Sequence, residues 1–149
     1  MILIAHRGLT SGPDKQLENK PEQILSSLSK GFDCEIDLWV NGDELWLGHD
    51  LPQYTISEEF LKDNCMYLWI HAKNLSALEW LTTTSFNYEY FWHQSDDFTL
   101  TSNGFIWTYP GKELTYRSIQ VMPEWEDSEL KNINYNCYAI CSDYVGKLK

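Results

Sequence analysis

The stretch Gly31–Asp50, GFDCEIDLWVNGDELWLGHD, decides how this chain folds. Phe32–Val40 reads as a strand, because apolar side chains recur along it without helical spacing. Asn41-Gly42 is a turn signal, and Glu44–Gly48 runs back as a second strand that ends at His49-Asp50. Side chains alternate across a strand. Glu35 and Asp37 therefore share one face, while Ile36 and Leu38 take the other and should pack against helices.

Outward from this hairpin, short apolar runs recur along the whole chain, each ending in polar or Gly-containing turns. Ile2–Ala5 ends at His6-Arg7-Gly8, Tyr67–Ile70 at His71-Ala72-Lys73-Asn74, and Tyr88–Trp92 at His93-Gln94. Phe105–Tyr109, Ile119–Met122 and Cys137–Cys141 follow, the last ending at Ser142-Asp143. Helical signals lie between several of them. Pro21 suits a first helical position, with Ile24, Leu25 and Leu28 on one face and Gly31 to close. Ser57 can cap a helix through Leu61, Asn74 or Ser76 can cap another, and Pro123–Lys131 offers one more.

Strands alternating with helices predict a mostly parallel sheet. No glycine-rich phosphate loop follows the first strand, which argues against a dinucleotide-binding open sheet. Polar residues at the C-terminal end of nearly every strand match the active face of a barrel instead. The expected fold is thus an α/β, TIM-like (β/α) barrel, compact, with a β-hairpin after the second strand. Such barrels run to about 250 residues, so at 149 residues the helices must be reduced and the chain a single domain over 1–149.

Composition narrows the partners. The formal net charge is -11, with 22 acidic and 11 basic residues, which disfavours a nucleic-acid backbone as ligand. An anionic small molecule would need a local cation, which Arg7, Lys73 or a bound metal could supply. No run approaches a membrane span. The MILIAHRG start reads as a strand and not a signal peptide, so a cytoplasmic location is expected. Four cysteines at irregular spacing read as reduced, buried thiols.

Two carboxylates directed into a barrel would repel each other and lose hydration, at a cost of several kcal/mol unless compensated. A divalent cation is one natural compensation, and hydration at a solvent-facing strand end is the other. Each of the four histidines follows a short apolar run, so convergent strand ends would gather their imidazoles around one cavity.

From His6 to Asp50 the sequence resembles the glycerophosphodiester phosphodiesterase family, within the phospholipase-C-like phosphodiesterase group. The likeness rests on the AHRG opening, Glu18-Asn19 ahead of the first helix, the Glu-x-Asp of GFDCEIDLWV and the His-Asp closing NGDELWLGHD, in the family's order and spacing. It thins beyond Asp50, where WIHAKN lies at the place of a family Glu-x-Lys strand. The resemblance implies His6 and His49 as the acid–base pair, and Glu35 and Asp37 as ligands of a divalent ion, commonly magnesium or calcium. Arg7 and Lys73 would face the phosphate of a small-molecule phosphodiester, with Glu18 at the site's edge orienting His6 or Arg7. His71 stands where the family has its third carboxylate. An imidazole there shifts preference toward manganese or zinc, or weakens metal binding. The competing reading is a catalytically inactive barrel that binds a phosphorylated or sugar ligand. Thin helical cover over Ile36 and Leu38 also raises a homo-oligomer as an expectation. His93, with Asp96 and Asp97 nearby, reads as a supporting residue, while Trp92, Trp107 and Tyr109 could line a substrate groove or pack in the core.

Overall fold

Pro21 opens the first α-helix, whose preceding residue Lys20 is extended, and the helix closes before the left-handed Gly31. The computed structural model describes residues 1–149. Its strands are β1 (Ile2–Ala5), β2 (Asp33–Asn41), β3 (Glu44–Leu47), β4 (Tyr54–Ile56), β5 (Leu68–Ala72), β6 (Glu89–Phe91), β7 (Phe98–Leu100), β8 (Ile106–Thr108), β9 (Ser118–Val121) and β10 (Ala139–Ser142). Its α-helices are α1 (Pro21–Ser29), α2 (Glu58–Asn64) and α3 (Leu75–Thr83). Ser57 caps α2 by accepting from the Phe60 amide, and Asn74 caps α3 by accepting from the Ala77 amide.

The (β/α) barrel expected from the sequence is not what forms. The ten strands make one mixed sheet curled into a half-barrel, with only three helices. A run of parallel pairs, β6-β5-β2-β1-β10-β9-β8, forms its body; antiparallel β3 and β4 extend it from β2, and antiparallel β7 from β8. The cause lies in the connections. After α3 the chain makes no further α-helix, so strand–helix alternation stops. The helix expected over Pro123–Lys131 is a single 3-10 turn, Pro123–Trp125. Beyond it the Asp127 carboxylate accepts from the amides of Glu129, Lys131 and Asn132, which captures donors a helix would have needed. Strands β4 and β7 escape the sequence reading: both are three residues long and neither has a fully buried side chain to give it an apolar run.

The two faces of the sheet bury different cores. Outside, the helices cover β2 and β5, where Ile24, Leu61, Ala77 and Leu81 pack with Cys34, Ile36, Leu38 and Ile70. Ile36 and Leu38 are fully buried within one chain, so the exposed strand face that motivated a homo-oligomer does not exist. Inside the curl, Ile4, Trp69, Phe91, Trp107, Ile119, Val121 and Cys141 fill the concave face. The Phe91 and Trp107 rings stack at 4.3 Å across the side where β6 and β8 are not hydrogen-bonded. Each such buried side chain is worth about 1.5–3 kcal/mol, which lets a short chain stabilise the curl with few residues. Three of the four free cysteines are buried. No helix is long and apolar enough to cross a membrane.

The course of β2 sets the position of the site. It pairs with β1 only at Asp33 and Cys34, with β5 from Cys34 to Leu38, and with β3 from Leu38 to Asn41. The strand thus leaves β1 halfway, and the 3-10 turn His6–Gly8 packs against it there. Glu35 and Asp37 point into the gap, beside the C-terminal ends of the parallel strands.

Candidate functional site

A cavity of about 390 Å³ opens at those strand ends, and all four histidines line it together with Arg7, Glu35, Asp37 and Lys73. Of the eight residues that the family resemblance marks, seven (His6, Arg7, Glu35, Asp37, His49, His71 and Lys73) therefore share one space. The eighth, Glu18, stands behind it. Its carboxylate accepts from Arg7 Nη1 at 2.8 Å, so it orients Arg7 and not His6.

Asp37 is the electrostatic anchor. Its side chain is 1% exposed, with Lys73 Nζ 3.3 Å and His71 Nδ1 3.1 Å from Oδ1, and Arg7 Nε 3.3 Å from Oδ2. Asn19 clamps it from behind, donating from Nδ2 to Oδ2 at 2.8 Å and accepting from the Asp37 amide at 2.9 Å. Burial opposes ionisation of Asp37, but the His71 hydrogen bond and the Lys73 and Arg7 charges overrule it and hold the carboxyl far below the usual range. Both Arg7 and Asn19 adopt left-handed backbone, φ 52 and φ 59, and the Asn19 amide donates to the Arg7 carbonyl at 2.9 Å. Asparagine tolerates that conformation; arginine is held in it at a cost of about 1–2 kcal/mol. The result is an Arg7 amide that donates to Glu35 Oε2 at 3.1 Å.

Glu35 is the opposite case. Burial and the negative charge of Asp37 raise its carboxyl above the usual value, and His6, His71 and Arg7 offset this only in part. Its nearest imidazole nitrogens, on His6 and His71, are each 4.0 Å away. A dication beside Glu35 would relieve this charge deficit. Ligand atoms of Glu35, Asp37 and His71 all lie within 4.8 Å of one another, so this group could hold a metal ion. The orientation of His71 suits that role. Its Nε2 donates to the His93 carbonyl at 3.0 Å, so Nδ1 is the nitrogen turned to the two carboxylates, and a cation bound there would take the place of the Nδ1 proton that hydrogen-bonds Asp37. The ring is also stacked on Phe91 at 5.0 Å.

Two further imidazoles reach the same cavity, each paired to an aspartate. His6 Nδ1 is 2.8 Å from Asp143 Oδ1, and His49 Nδ1 is 2.7 Å from Asp50 Oδ1. In both, the aspartate fixes the Nδ1 proton and leaves Nε2 as the working atom. Asp143 is itself held, its amide donating to Glu124 Oε1 at 2.9 Å. His49 is presented by Gly48, where φ is 154° and an added Cβ would run into the Leu51 carbonyl oxygen. The Gly48 carbonyl also accepts from Trp39 Nε1 at 2.6 Å.

The environments of these two imidazoles differ. Burial disfavours charge on His6, but the Asp143 hydrogen bond and the Glu35 charge outweigh it and raise its pKa above 6.5. Burial and the Arg7 charge lower that of His49. In metal-free protein, NMR titration is therefore expected to show His6 losing its proton at higher pH than His49. Asp143→Asn should lower the His6 midpoint and leave the His49 midpoint in place; coincident midpoints, or the reverse order, would contradict these assignments.

Other residues fall into place around the group. His93 donates or accepts through Nδ1 with Thr99 Oγ1 at 3.1 Å, while Asp97 pairs with Lys112 at 3.0 Å and leaves His93 alone. Trp107 and Tyr109 line the cavity, whereas Trp92 packs on the outer core. The sequence reading missed the roles of Asn19, Asp143 and Trp125. The first two lay in plain view, in Glu18-Asn19 and at the end of the last strand, but their partners are distant in sequence. Comparison with protein-family models, curated proteins and solved structures yields no match.

Proposed function

We propose that this protein is a metal-dependent phosphodiesterase that hydrolyses a glycerophosphodiester or a related alkyl phosphodiester. The observation that carries the reading is that two His–Asp pairs, His6–Asp143 and His49–Asp50, open onto one cavity with the Glu35/Asp37/His71 group and with Arg7 and Lys73. The likeness of residues 6–50 to the glycerophosphodiester phosphodiesterase family supports it further.

The chemistry follows from what diester cleavage demands. Water adds to phosphorus as one alkoxide leaves, giving a monoester and an alcohol. One imidazole Nε2 takes the water's proton, and the other delivers a proton to the leaving oxygen. Arg7 and Lys73 neutralise nonbridging oxygens where charge develops. A cation held by Glu35, Asp37 and His71 would supply further Lewis-acid neutralisation at that place. Magnesium or calcium fits the two carboxylates, and manganese or zinc fits the set once His71 is counted.

Purified protein is expected to hydrolyse a glycerophosphodiester, whose glycerol carries free hydroxyls, when a divalent metal is added, with phosphorus NMR showing a monoester. A cyclic phosphate would instead assign the attack to a substrate hydroxyl. Absence of turnover with magnesium, calcium, manganese and zinc alike would overturn the reading. One observation favours a second reading, a ligand-binding protein without turnover: Asp37 is already compensated by Arg7, Lys73 and His71. Phosphate-ester affinity unchanged by loss of both His6 and His49, with no turnover, would select it.

A further inference from the structure

Aromatic rings line the cavity beside the charged group, and two of them are not packed away. Phe91 and Trp107 are buried and stacked, but Tyr109 and Trp125 stay 43% and 63% exposed while lining the same space. They stand nearly perpendicular, centroids 6.3 Å apart at 73°. Core packing does not account for them. Large apolar rings left open beside polar groups mark a surface for a ligand.

The backbone places Trp125 there at a conformational cost. Met122 is left-handed, φ 45 and ψ 52, immediately before Pro123, a position where proline disfavours helical geometry in its predecessor. The strained residue is pinned by its amide donating to the Cys141 carbonyl at 2.8 Å and its carbonyl accepting from the Trp125 amide at 3.0 Å. The kink turns the chain at the end of β9 so that Trp125 lies at the cavity and not out along the strand direction. Tyr109 comes from the end of β8, just beyond Thr108.

We propose that one alcohol of the bound phosphoester bears a planar aromatic ring, seated against Tyr109 and Trp125 while the phosphate meets Arg7 and Lys73. This deepens the phosphodiesterase reading and rests on it. A ring can stack on one side chain and meet the other edge-on, which a T-shaped pair provides and a linear alkyl group cannot use. Gln94, which also lines the cavity, offers an amide to a polar ring edge, as a nucleobase or other heteroaromatic presents. The volume of about 390 Å³ is at the small end for ligand sites, enough for a phosphate and a ring-bearing alcohol.

The test compares binding of phenyl phosphate, methyl phosphate and phosphocholine to the full chain by calorimetry, with manganese present. Phenyl phosphate is expected to bind about tenfold more tightly than methyl phosphate, the scale of one stacking contact. Trp125→Ala and Tyr109→Ala should each erode that advantage and leave methyl phosphate affinity unchanged; both side chains are exposed enough to remove without unfolding the chain. Equal affinities for phenyl and methyl phosphate would overturn the ring proposal and leave the phosphate reading standing. So would a phenyl advantage that survives both variants, or phosphocholine binding best of the three. Failure of all three esters to bind would bring down the phosphate reading and the ring proposal together.

Discussion

Replacing His49 by alanine is expected to lower metal-dependent diester turnover by about 10²–10⁴-fold, the range for loss of a positioned acid or base. The fold should not respond. The His49 side chain is 35% exposed and its one hydrogen-bonded partner, Asp50, is more exposed still, so the melting temperature should stay close to that of the unaltered chain. Metal affinity should also persist, because His49 is outside the Glu35/Asp37/His71 group. His6→Ala should show a similar loss of turnover. Turnover in His49→Ala within a few-fold of the unaltered protein would remove His49 from the chemistry and, with it, the two-imidazole scheme.

The second large effect is on stability. Asp37→Ala removes the one carboxylate to which Arg7, Lys73 and His71 all point, and it strands the Asn19 amide behind it. Uncompensated buried charge of this kind costs about 3–5 kcal/mol. For a chain of this size that is a fall in melting temperature of about 6–20 °C. Glu35→Gln should behave differently, changing the metal-free stability by only about 1 kcal/mol, because its imidazole partners stand 4.0 Å away and a neutral amide can still accept from the Arg7 amide. Thermal melts of the two variants in chelator check the contrast. Equal, small shifts would mean that Asp37 is not the anchor.

The hairpin and the inward pair were legible because alternation is a local property. Glu35 and Asp37 are two apart on a nine-residue strand, and no long-range packing can place them on different faces. The convergence of the histidines was legible for a related reason, since His6, His71 and His93 follow strands of the parallel run, and His49 follows antiparallel β3, which runs back along β2 until the Gly48 amide meets the Asp37 carbonyl. The half-barrel was not legible and a (β/α) barrel was expected instead, because whether the sheet closes depends on what fills the connections. In the second half of the chain those connections are tied by side chains such as Asp127, and the concave face is filled by aromatic rings such as Phe91 and Trp107. Neither feature has a periodic signature. Asp143 shows the same gap at the site: its pairing with His6 spans 137 positions and exists only because β1 and β10 are neighbours.

Titration of the protein with manganese by calorimetry, in unaltered form and as Glu35→Gln and His71→Ala, tests the central claim most directly. The unaltered chain should bind one equivalent, and each variant should weaken that binding by at least about tenfold. Binding that ignores both substitutions, or none to the unaltered chain with manganese, zinc, magnesium or calcium, would contradict a cation held between the two carboxylates and the His71 ring.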